Sequence, residues 1–474
     1  MIEFNITNQR CSVKGDLKTL NKIYAELSFR NPNAWFLRKH MPKGWDGKMH
    51  YLTETGTFQG GMLANIYNIA IREKQQVKLI DNRDLTGIKI TQVKSLKSFI
   101  PRAHQHECVD SIINNYHGDM WWPRGIWKEA TNTGKTLIAA LLYKRLGSPK
   151  TIFIINSTEL YEQALKELPE LIEASEIGRV EPKQIVWGNF MICKVATLSR
   201  RMSDYAIKSK ISDYKVCLVD ECDLSDNATY KNILRQLVGS PVKVGMSGTV
   251  FVSTLAKDKL KNENIRSFFG NQIHEITNKE LSDMGHSSTV IATFFQGNEK
   301  VEIPGDFNLE YEKAITKNKS RNTKVIDRVK DNIKHKRYPI LITCKYHPHV
   351  RILYRRIQEE LGDKYKVDWV HHERKDRHKV VEEFRVGKID ILIGSGILKR
   401  GKNFKLMTTL INAGAGLGTE NTLQILGRVF RQGRDNKKYY EDFYDKGHYL
   451  RRHSKRRLAA VKNEKIQVIE NFKK

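Results

Sequence analysis

Short apolar runs alternate with amphipathic stretches between about residues 100 and 435, and polar residues follow most runs. Continuous runs of Val, Ile and Leu are typical of strands buried on both faces of a parallel sheet, and helical periods separate them. The runs that predict strands are Gly125–Trp127, Thr151–Ile155, Val216–Val219, Val242–Met246, Ile340–Thr343, Val367–Val370, Ile389–Ile393 and Leu406–Ile411. The pattern predicts an α/β fold of doubly wound parallel sheets, with ligands at the carboxyl ends of the strands.

The runs form two groups, which predict two lobes, at 96–280 and 281–474. Between the groups, residues 251–337 are more charged and show no strong strand series. We interpret them as the end of one lobe, a connection and the first helix of the next. From Lys437 onward, 12 Lys and Arg stand against 5 Asp and Glu, which predicts a basic C-terminal tail. We expect its cluster of Arg and Lys at 451–457 to lie on a helix that faces phosphate or solvent.

Residues 1–95 predict a separate small, basic N-terminal α+β domain that binds DNA. Aromatic and basic side chains are interleaved between Trp35 and Lys48, the last of which closes a Trp45-Asp46-Gly47-Lys48 turn. Rings that stack on bases beside cations that pair with phosphates would bind nucleic acid. The same residues equally predict a small core with solvated charges beside it.

Charge narrows the class of partner. The 474 residues contain 82 Lys+Arg and 53 Asp+Glu, a formal net charge of +29. Such a surplus indicates a polyanionic partner, with nucleic acid ahead of an anionic membrane surface. No apolar run approaches the roughly 18 residues of a spanning helix, and the N-terminus lacks the apolar core of a secretory signal. The six cysteines form no CxxC pair, which argues against a disulfide framework or a cysteine zinc site. We expect a cytoplasmic protein without membrane attachment, a monomer, located in the host cytoplasm if phage-encoded.

The segment Glu129–Thr136 has the pattern of a phosphate-binding loop between a strand and a helix. Backbone amides at a helix N-terminus bind phosphate oxygens, Lys135 would reach the terminal phosphates of ATP, and the Thr136 hydroxyl would ligate Mg²⁺. Glu129 replaces the first glycine of the G-x-x-x-x-G-K-[ST] pattern, and Asn132 stands where glycine is frequent but tolerates a left-handed backbone. The alternative is an ordinary helix N-cap with a solvated lysine.

An acidic box, Asp220-Glu221-Cys222-Asp223, directly follows the apolar run Val216–Val219. Carboxylates packed at a strand end repel one another unless a cation lies there. Asp220 is placed to hold Mg²⁺ through water, and Glu221 to orient and deprotonate the attacking water. The alternative is a helix N-terminus that favours acidic residues. The position of the box, after the loop and before Ser247-Gly248-Thr249, disfavours that alternative.

These segments resemble motifs I, II and III of superfamily 2 helicases. Arg102-Ala103-His104-Gln105 is similar to the adenine-reading glutamine element of the family. Asn156–Leu160, Ala196–Leu198 and Ile340–Cys344 resemble motifs Ia, Ib and IV. Ile391–Asn403 resembles motif V, with Asn403 in place of the usual Asp. Gln424–Arg431 has the Q-x-x-G-R-x-x-R spacing of motif VI, and on a helix its Gln and two Arg share one face. The resemblance implies two RecA-like lobes with ATP between them and arginine fingers from the second lobe.

The resemblance also implies roles for individual residues. Catalysis is assigned to Glu221, Asp220, Lys135, Arg428 and Arg431. ATP binding is assigned to Arg102, Gln105, Thr133, Gly134, Lys135 and Thr136, with Mg²⁺ held by Thr136 and Asp220. Coupling of hydrolysis to movement is assigned to Asp223, Ser247, Thr249, Gln424 and Gly401. DNA binding is assigned to Ser157, Thr158, Thr197, Cys344 and Ser395.

The substrate is not named by these motifs. The layout, a small basic segment before a compact motor, resembles phage UvsW-like branch-migration helicases, and the acidic box differs from the Asp-Glu-Ala-Asp of many RNA unwinders. We therefore predict an ATP- and Mg²⁺-dependent DNA helicase or translocase that unwinds or branch-migrates forked and junction DNA in replication, recombination or repair. The alternatives are an RNA helicase and an ATP-binding annealing protein without unwinding activity.

Two smaller features have competing interpretations. Trp121-Trp122 before the phosphate loop could stack on a base or wedge a fork, although aromatic pairs near a strand start more often pack in a core. His347, His349, His371 and His372 could bind a metal, but they lack cysteine partners and ligand spacing. We therefore do not expect zinc.

Overall fold

The computed structural model describes residues 1–130, 132–251, 256–298, 301, 303–395, 404–416, 418–431, 433 and 436–473, and side chains 256, 257, 419 and 420 lie outside the description. Contacts divide the chain into two compact units, one of residues 1–129 and 133–276 and one of residues 130–132 and 277–474. The three-domain division expected from sequence stays a prediction. Among the described residues, no helix is both long enough and apolar enough to cross a bilayer.

The N-terminal part of the first unit is built on a four-stranded sheet of order β5-β2-β1-β6, beside a separate β3–β4 hairpin. Its strands are β1 Ile2–Ile6, β2 Arg10–Gly15, β3 Ser28–Arg30, β4 Lys48–His50, β5 Thr57–Gln59 and β6 Val77–Asp81. Its helices are α1 Leu17–Glu26, α2 Ala34–Leu37 and α3 Leu63–Arg72. Alternate residues of β1, namely Ile2, Phe4 and Ile6, are buried against α3 and form the core of this part.

The long connection of the β3–β4 hairpin carries the interleaved aromatic and basic residues. Trp35 is 78% exposed and Phe36 is 70% exposed. Their rings meet edge to face at 5.1 Å. The core interpretation therefore does not hold for these two side chains, because they lie in solvent.

The remainder of the first unit is an eight-stranded sheet of order β12-β11-β13-β10-β14-β15-β9-β16, in which only the β11–β12 pair is antiparallel. The strands β7 Tyr116–His117 and β8 Met120–Trp121 form a separate short pair. The strands of the eight-stranded sheet are β9 Arg124–Glu129, β10 Thr151–Ile155, β11 Ile177–Val180, β12 Ile185–Val186, β13 Phe190–Lys194, β14 Val216–Asp220, β15 Val242–Met246 and β16 Gln272–Ile276. The helices are α4 Ala103–Ile113, α5 Lys135–Arg145, α6 Thr158–Leu171, α7 Val195–Arg201, α8 Tyr205–Ser212, α9 Ala228–Gln236 and α10 Ala256–Phe269.

The second unit is a seven-stranded, wholly parallel sheet of order β19-β20-β18-β21-β22-β17-β23. Its strands are β17 Thr289–Gln296, β18 Ile340–Cys344, β19 Val367–Val370, β20 Ile391–Ser395, β21 Thr409–Asn412, β22 Lys437–Tyr444 and β23 Gln467–Asn471. Its helices are α11 Asn278–Asp283, α12 Phe307–Tyr311, α13 Lys319–Lys334, α14 His347–Leu361, α15 Arg377–Arg385, α16 Thr419–Val429 and α17 Leu450–Asn463.

The predicted α/β fold with parallel sheets is confirmed, and each run that predicted a strand coincides with one or overlaps it. Every residue of β10, β14, β15, β18 and β20 is buried, as strands covered on both faces require. The expectation of no strand series between residues 251 and 337 is wrong, because β16 and β17 lie there. The segment from Lys437 onward, predicted as a basic C-terminal tail, begins with a strand of the sheet. This strand, β22, pairs with both β21 and β17.

Candidate functional site

The loop between β9 and α5 has a left-handed backbone at two positions. Asn132 has a φ of 75° and Gly134 a φ of 80°, and Gly134 is the N-cap of α5. The φ of Gly134 is one that L side chains rarely adopt, and a Cβ there would lie 2.9 Å from Gln105 Nε2, so glycine is favoured at this position. Thr131 lies outside the described residues. The asparagine departure from the pattern is therefore accommodated, because asparagine adopts left-handed backbone readily.

Gln105 joins the start of α4 to this loop. Its Nε2 donates a hydrogen bond to the Thr133 carbonyl oxygen at 2.7 Å, and its Oε1 accepts one from the Arg102 amide at 2.9 Å. The side chain is buried. Gln105 thus supports the loop directly, and the reading of adenine by Gln105 and Arg102 stays a prediction.

Glu129, the unusual first residue of the loop pattern, has a fully buried side chain. Its Oε1 lies 2.7 Å from His274 Nδ1 of β16 and accepts a hydrogen bond from the Cys108 thiol at 3.4 Å. Burial, together with the nearby Glu129 carboxylate, raises the pKa of that thiol. The 2.7 Å contact is shorter than the spacing of about 3.3–3.5 Å between ligands of a tetrahedral zinc ion. The three groups are therefore a hydrogen-bonded cluster that fixes the end of β9.

Lys135 and Asp220 face each other at the carboxyl ends of the strands. Lys135 Nζ lies 3.7 Å from Asp220 Oδ1, which also accepts a hydrogen bond from the Glu221 amide at 3.0 Å. Burial acts to lower the pKa of Lys135, but the carboxylates of Asp220 and Glu221 more than offset this, and its pKa is raised. Lys135 is therefore cationic at neutral pH, as a phosphate ligand must be.

Thr136 lies in the first turn of α5, on the element that also carries Lys135. Its hydroxyl and the buried Asp220 carboxylate are hard oxygen donors, the ligands that Mg²⁺ prefers. Glu221 follows Asp220 with a φ of 52°, an uncommon value that turns the chain sharply at the strand end. The donor set thus fits a nucleotide-bound Mg²⁺, and the individual roles stay predictions.

Asp223, Ser247 and Thr249 form one buried network. Ser247 Oγ donates a hydrogen bond to Asp223 Oδ1 at 2.8 Å and accepts one from the Thr249 amide at 3.1 Å. The Ser247 amide in turn donates to the Trp127 carbonyl oxygen of β9 at 3.1 Å. The acidic box is therefore linked to the end of β15, and through it to the strand that leads into the phosphate loop.

In the second unit, α16 carries Gln424 and the buried Arg428. The helix ends at Val429, so Arg431 lies beyond it and not on the predicted helical face. Ser288 holds this end of the helix through two hydrogen bonds. Its amide donates to the Phe430 carbonyl oxygen at 2.8 Å, and its hydroxyl donates to the Arg431 carbonyl oxygen at 3.2 Å. Burial lowers the pKa of Arg431 to about 10.

Comparisons with known proteins identify the family. Residues 98–252 match the family model described as "Type III restriction enzyme, res subunit", and residues 324–433 match the "Helicase conserved C-terminal domain". The chain belongs to the superfamily 2 helicases. The two domains make it an ATP-hydrolysing nucleic-acid helicase and confirm the resemblance predicted from its motifs. No curated protein matches the chain.

Solved structures share the fold of this helicase at low sequence identity. A fragment of a putative HsdR subunit of a type I restriction enzyme from Vibrio vulnificus is 16% identical with a TM-score of 0.56, over 75% of this chain and 67% of that chain. S. cerevisiae Dbp5 bound to RNA and ADP BeF3 is 16% identical with a TM-score of 0.53, over 79% and 90%. T4 UvsW is 17% identical with a TM-score of 0.45, over 99% of both chains. The first two show a shared fold of two RecA-like lobes.

The side chains predicted to bind DNA differ in accessibility. Thr158 is exposed at the start of α6, and the half-buried Ser157 caps that helix by accepting a hydrogen bond from the Leu160 amide at 3.1 Å. The other three predicted contacts have buried side chains, namely Thr197, Cys344 and Ser395. Gly401 of the predicted coupling set lies outside the described residues, with most of the motif V segment. All five DNA contacts stay predictions.

Two of the four histidines considered as metal ligands, His347 and His371, lie together in the second unit of the helicase. His347 and His371 stack at 4.0 Å with an interplanar angle of 12°, and the Glu373 carboxylate lies 3.6 Å from His371 Nδ1. Ligand atoms of His347, His371 and Glu373 lie within 4.8 Å of one another, so the expectation that zinc is absent stays a prediction. His349 is buried elsewhere, with its Nε2 2.9 Å from Asn322 Oδ1, and burial lowers its pKa to about 3.

Two other sequence features have structural roles. Trp122 is buried beside the guanidinium groups of Arg83 and Arg124, and Trp121 Nε1 donates to the Ile112 carbonyl oxygen at 2.9 Å, so core packing is their role. In the basic segment of α17, Arg457 is buried and pairs with Asp442 at 3.0 Å. Sequence reasoning missed Asp442 and His274 as partners, because only the sheet order brings them to Arg457 and Glu129.

Proposed function

We propose that this helicase is an ATP- and Mg²⁺-dependent DNA helicase or translocase that unwinds or branch-migrates forked and junction DNA in replication, recombination or repair. The proposal that the substrate is forked or junction DNA rests on the β3–β4 hairpin. Between its strands, the exposed rings of Trp35 and Phe36 adjoin the exposed cations Arg38 and Lys39. Stacking rings beside phosphate-pairing cations suit a junction, where unpaired bases and duplex backbone occur together.

The overall charge supports a nucleic-acid track. A net charge of +29 attracts the phosphate backbone without sequence preference, as a translocating motor needs. The charge suits DNA and RNA alike. The family model over residues 98–252 is described as a restriction enzyme subunit, which supports the choice of duplex DNA over RNA.

The nucleotide chemistry is proposed for groups at the carboxyl ends of the strands. Lys135 binds the terminal phosphates, and Thr136 and Asp220 hold the Mg²⁺ that neutralises phosphate charge. Glu221 accepts the proton of the attacking water, which bonds to the γ-phosphorus as the bond to the ADP oxygen breaks. We further propose that Arg428 and Arg431 stabilise the charge on the transferred phosphoryl group. Such arginines contribute on the order of 10³–10⁵ in rate.

One set of assays tests the proposal. ATP hydrolysis and strand separation are measured on forks, four-way junctions and plain overhangs, each made as DNA and as RNA. We expect junction DNA to stimulate hydrolysis most, and separation to require ATP. Lys135→Ala should abolish hydrolysis, whereas Glu221→Gln should bind ATP without turning it over. Stronger stimulation by RNA would favour an RNA helicase, and strand annealing with no ATP dependence would favour an annealing protein.

A further inference from the structure

Helix α10 packs on both the N-terminal part of the first unit and the core beneath the acidic box. Leu260 packs against the core of the N-terminal part. Phe268 and Phe269 belong to the same core of the eight-stranded sheet as Cys222, a residue of the acidic box. Close-packed interiors transmit strain, so a shift of α10 at one of these cores also displaces the other.

The β3–β4 hairpin contacts α10 through residues at both of its ends. Lys259 Nζ of α10 lies 4.9 Å from the ring centroid of Phe29 in β3. Tyr51 directly follows β4, and its ring meets that of Phe29 edge to face at 5.7 Å. The Tyr51 hydroxyl donates a hydrogen bond to Asn264 Oδ1 at 2.7 Å, a shorter contact than its 3.2 Å to the Leu260 carbonyl oxygen. The segment with the exposed aromatic rings is therefore anchored on α10.

The Asn264 amide continues this contact to the acidic box. Its Nδ2 donates a hydrogen bond to Asp226 Oδ1 at 2.7 Å. Asp226 follows the short 3-10 turn Cys222–Leu224 of the box, and Lys231 Nζ of α9 lies 2.7 Å from the same carboxylate oxygen. The amide thus accepts from the N-terminal part with its oxygen and donates toward the box with its nitrogen.

The backbone ties Asp226 to the catalytic end of the box. The Leu224 amide donates to the Glu221 carbonyl oxygen at 3.0 Å, and the Asn227 amide donates to the Leu224 carbonyl oxygen at 3.2 Å. These bonds make the segment from Glu221 to Asn227 one continuous turn. The position of the Asp226 side chain therefore bears on Glu221, the proposed base.

Tyr51 is a dependable hydrogen-bond donor. Its side chain is buried, and burial, together with the carboxylates of Glu263 and Asp226, raises its pKa. The hydroxyl keeps its proton at neutral pH. It therefore fixes the orientation of the Asn264 amide, whose nitrogen is then directed to Asp226.

We infer that Tyr51 is a positioning residue through which nucleic acid bound on the β3–β4 hairpin stimulates ATP hydrolysis. A shift of the hairpin on binding moves Asn264 and Asp226, and with them the turn that carries Glu221. The hairpin and the nucleotide site are then two coupled sites. This inference rests on the proposed function.

Tyr51→Phe tests the inference because it removes the hydroxyl and keeps the ring. ATP hydrolysis by the full-length protein is measured over a range of ATP concentrations, with and without saturating four-way junction DNA. We expect the ratio of kcat with DNA to kcat without DNA to fall by about 2- to 12-fold, the factor that one hydrogen bond represents. The KM for ATP, and junction affinity measured by fluorescence anisotropy, should keep their wild-type values.

A second variant tests the route itself. Asn264→Ala removes the bridging amide and should lower the same ratio, and the double variant with Tyr51→Phe should lower it no further, because both act on one chain of contacts. The matched control is Tyr24→Phe, which removes a tyrosine hydroxyl from α1 of the same N-terminal part and should keep the wild-type ratio. A purely structural role would lower the thermal midpoint and both kcat values together, and would leave the ratio unchanged.

Three results overturn the inference. If Tyr51→Phe keeps the wild-type ratio while junction DNA stimulates the wild type, Tyr51 does not position the box, and the proposed function stands. Additive losses in the double variant, or an equal loss in Tyr24→Phe, would show that the contacts do not act as one route. If DNA does not stimulate hydrolysis by the wild type, the proposed function fails and this inference falls with it.

Discussion

Lys243 is a buried lysine whose replacement should stabilise the protein in a pH-dependent way. It lies in β15 opposite Arg124 of β9, and its Nζ donates to Gln9 Oε1 at 3.1 Å and to the Leu234 carbonyl oxygen at 3.2 Å. Among the described residues, no carboxylate pairs with it. Burial, reinforced by the Arg124 guanidinium, lowers the pKa of Lys243 to about 7.

The sign of the effect follows from proton counts. Between pH 7 and about 10.5, the unfolded chain keeps a proton on this amine that the folded protein has lost. The unfolded state therefore binds more protons, and stability rises with pH by about 1.4 kcal/mol per unit in this window. At pH 7 and below, the depressed pKa represents a penalty of about 4–5 kcal/mol, because the folded state must bury or lose the charge.

Lys243→Met removes this penalty and keeps most of the side-chain volume. The two carbonyl acceptors lose their donor, which costs about 1–3 kcal/mol. We therefore expect a net gain of about 1–4 kcal/mol at pH 7. At pH 9 the penalty has shrunk to about 2 kcal/mol, so the gain should fall close to zero.

Urea unfolding of full-length protein, followed by tryptophan fluorescence at pH 6.5, 7, 8 and 9, measures this difference. The control is Lys150→Met at an exposed lysine of the same unit, for which the difference from wild type should not vary with pH. A Lys243→Met variant that is less stable at pH 7, or a difference that stays constant from pH 7 to 9, would refute the reasoning.

Three further predictions concern the phosphate loop, the coupling network and the hairpin. Glu129→Ala leaves the half-buried His274 ring and the buried Cys108 thiol without the Glu129 carboxylate and should cost about 1–3 kcal/mol in urea unfolding; an unchanged midpoint would contradict the cluster. Ser247→Ala removes the donor to Asp223 and should slow unwinding more than ATP hydrolysis, and an equal loss in both assays would argue against coupling. Trp35→Ala should leave the thermal midpoint unchanged because the ring is exposed, while junction binding weakens by about 1–3 kcal/mol, the value of one stacked base. Junction affinity equal to wild type would remove the hairpin from the interface.

The sequence alone located the loop between β9 and α5, the acidic box after β14 and eight of the fifteen described strands of the two large sheets. This was possible because strands buried on both faces leave continuous apolar runs, and because the loop geometry depends on local backbone at Asn132 and Gly134. The runs Phe190–Cys193 and Val290–Phe295 carried the same signal for β13 and β17. The run Val290–Phe295 lies inside a region that is charged on average, so the composition of that region gave no indication of the strand.

Only the tertiary structure decided which polar groups meet. Glu129 and His274 are 145 residues apart, yet the β9–β16 pairing brings them to 2.7 Å. Arg457 belongs to a segment whose composition predicts a solvated face, but Asp442 of β22 holds it in the interior. Sheet order and side-chain packing set these contacts, and neither depends on spacing along the chain. For the same reason, the sequence could locate the acidic box but not the hydrogen bonds that link it, through α10, to the N-terminal part.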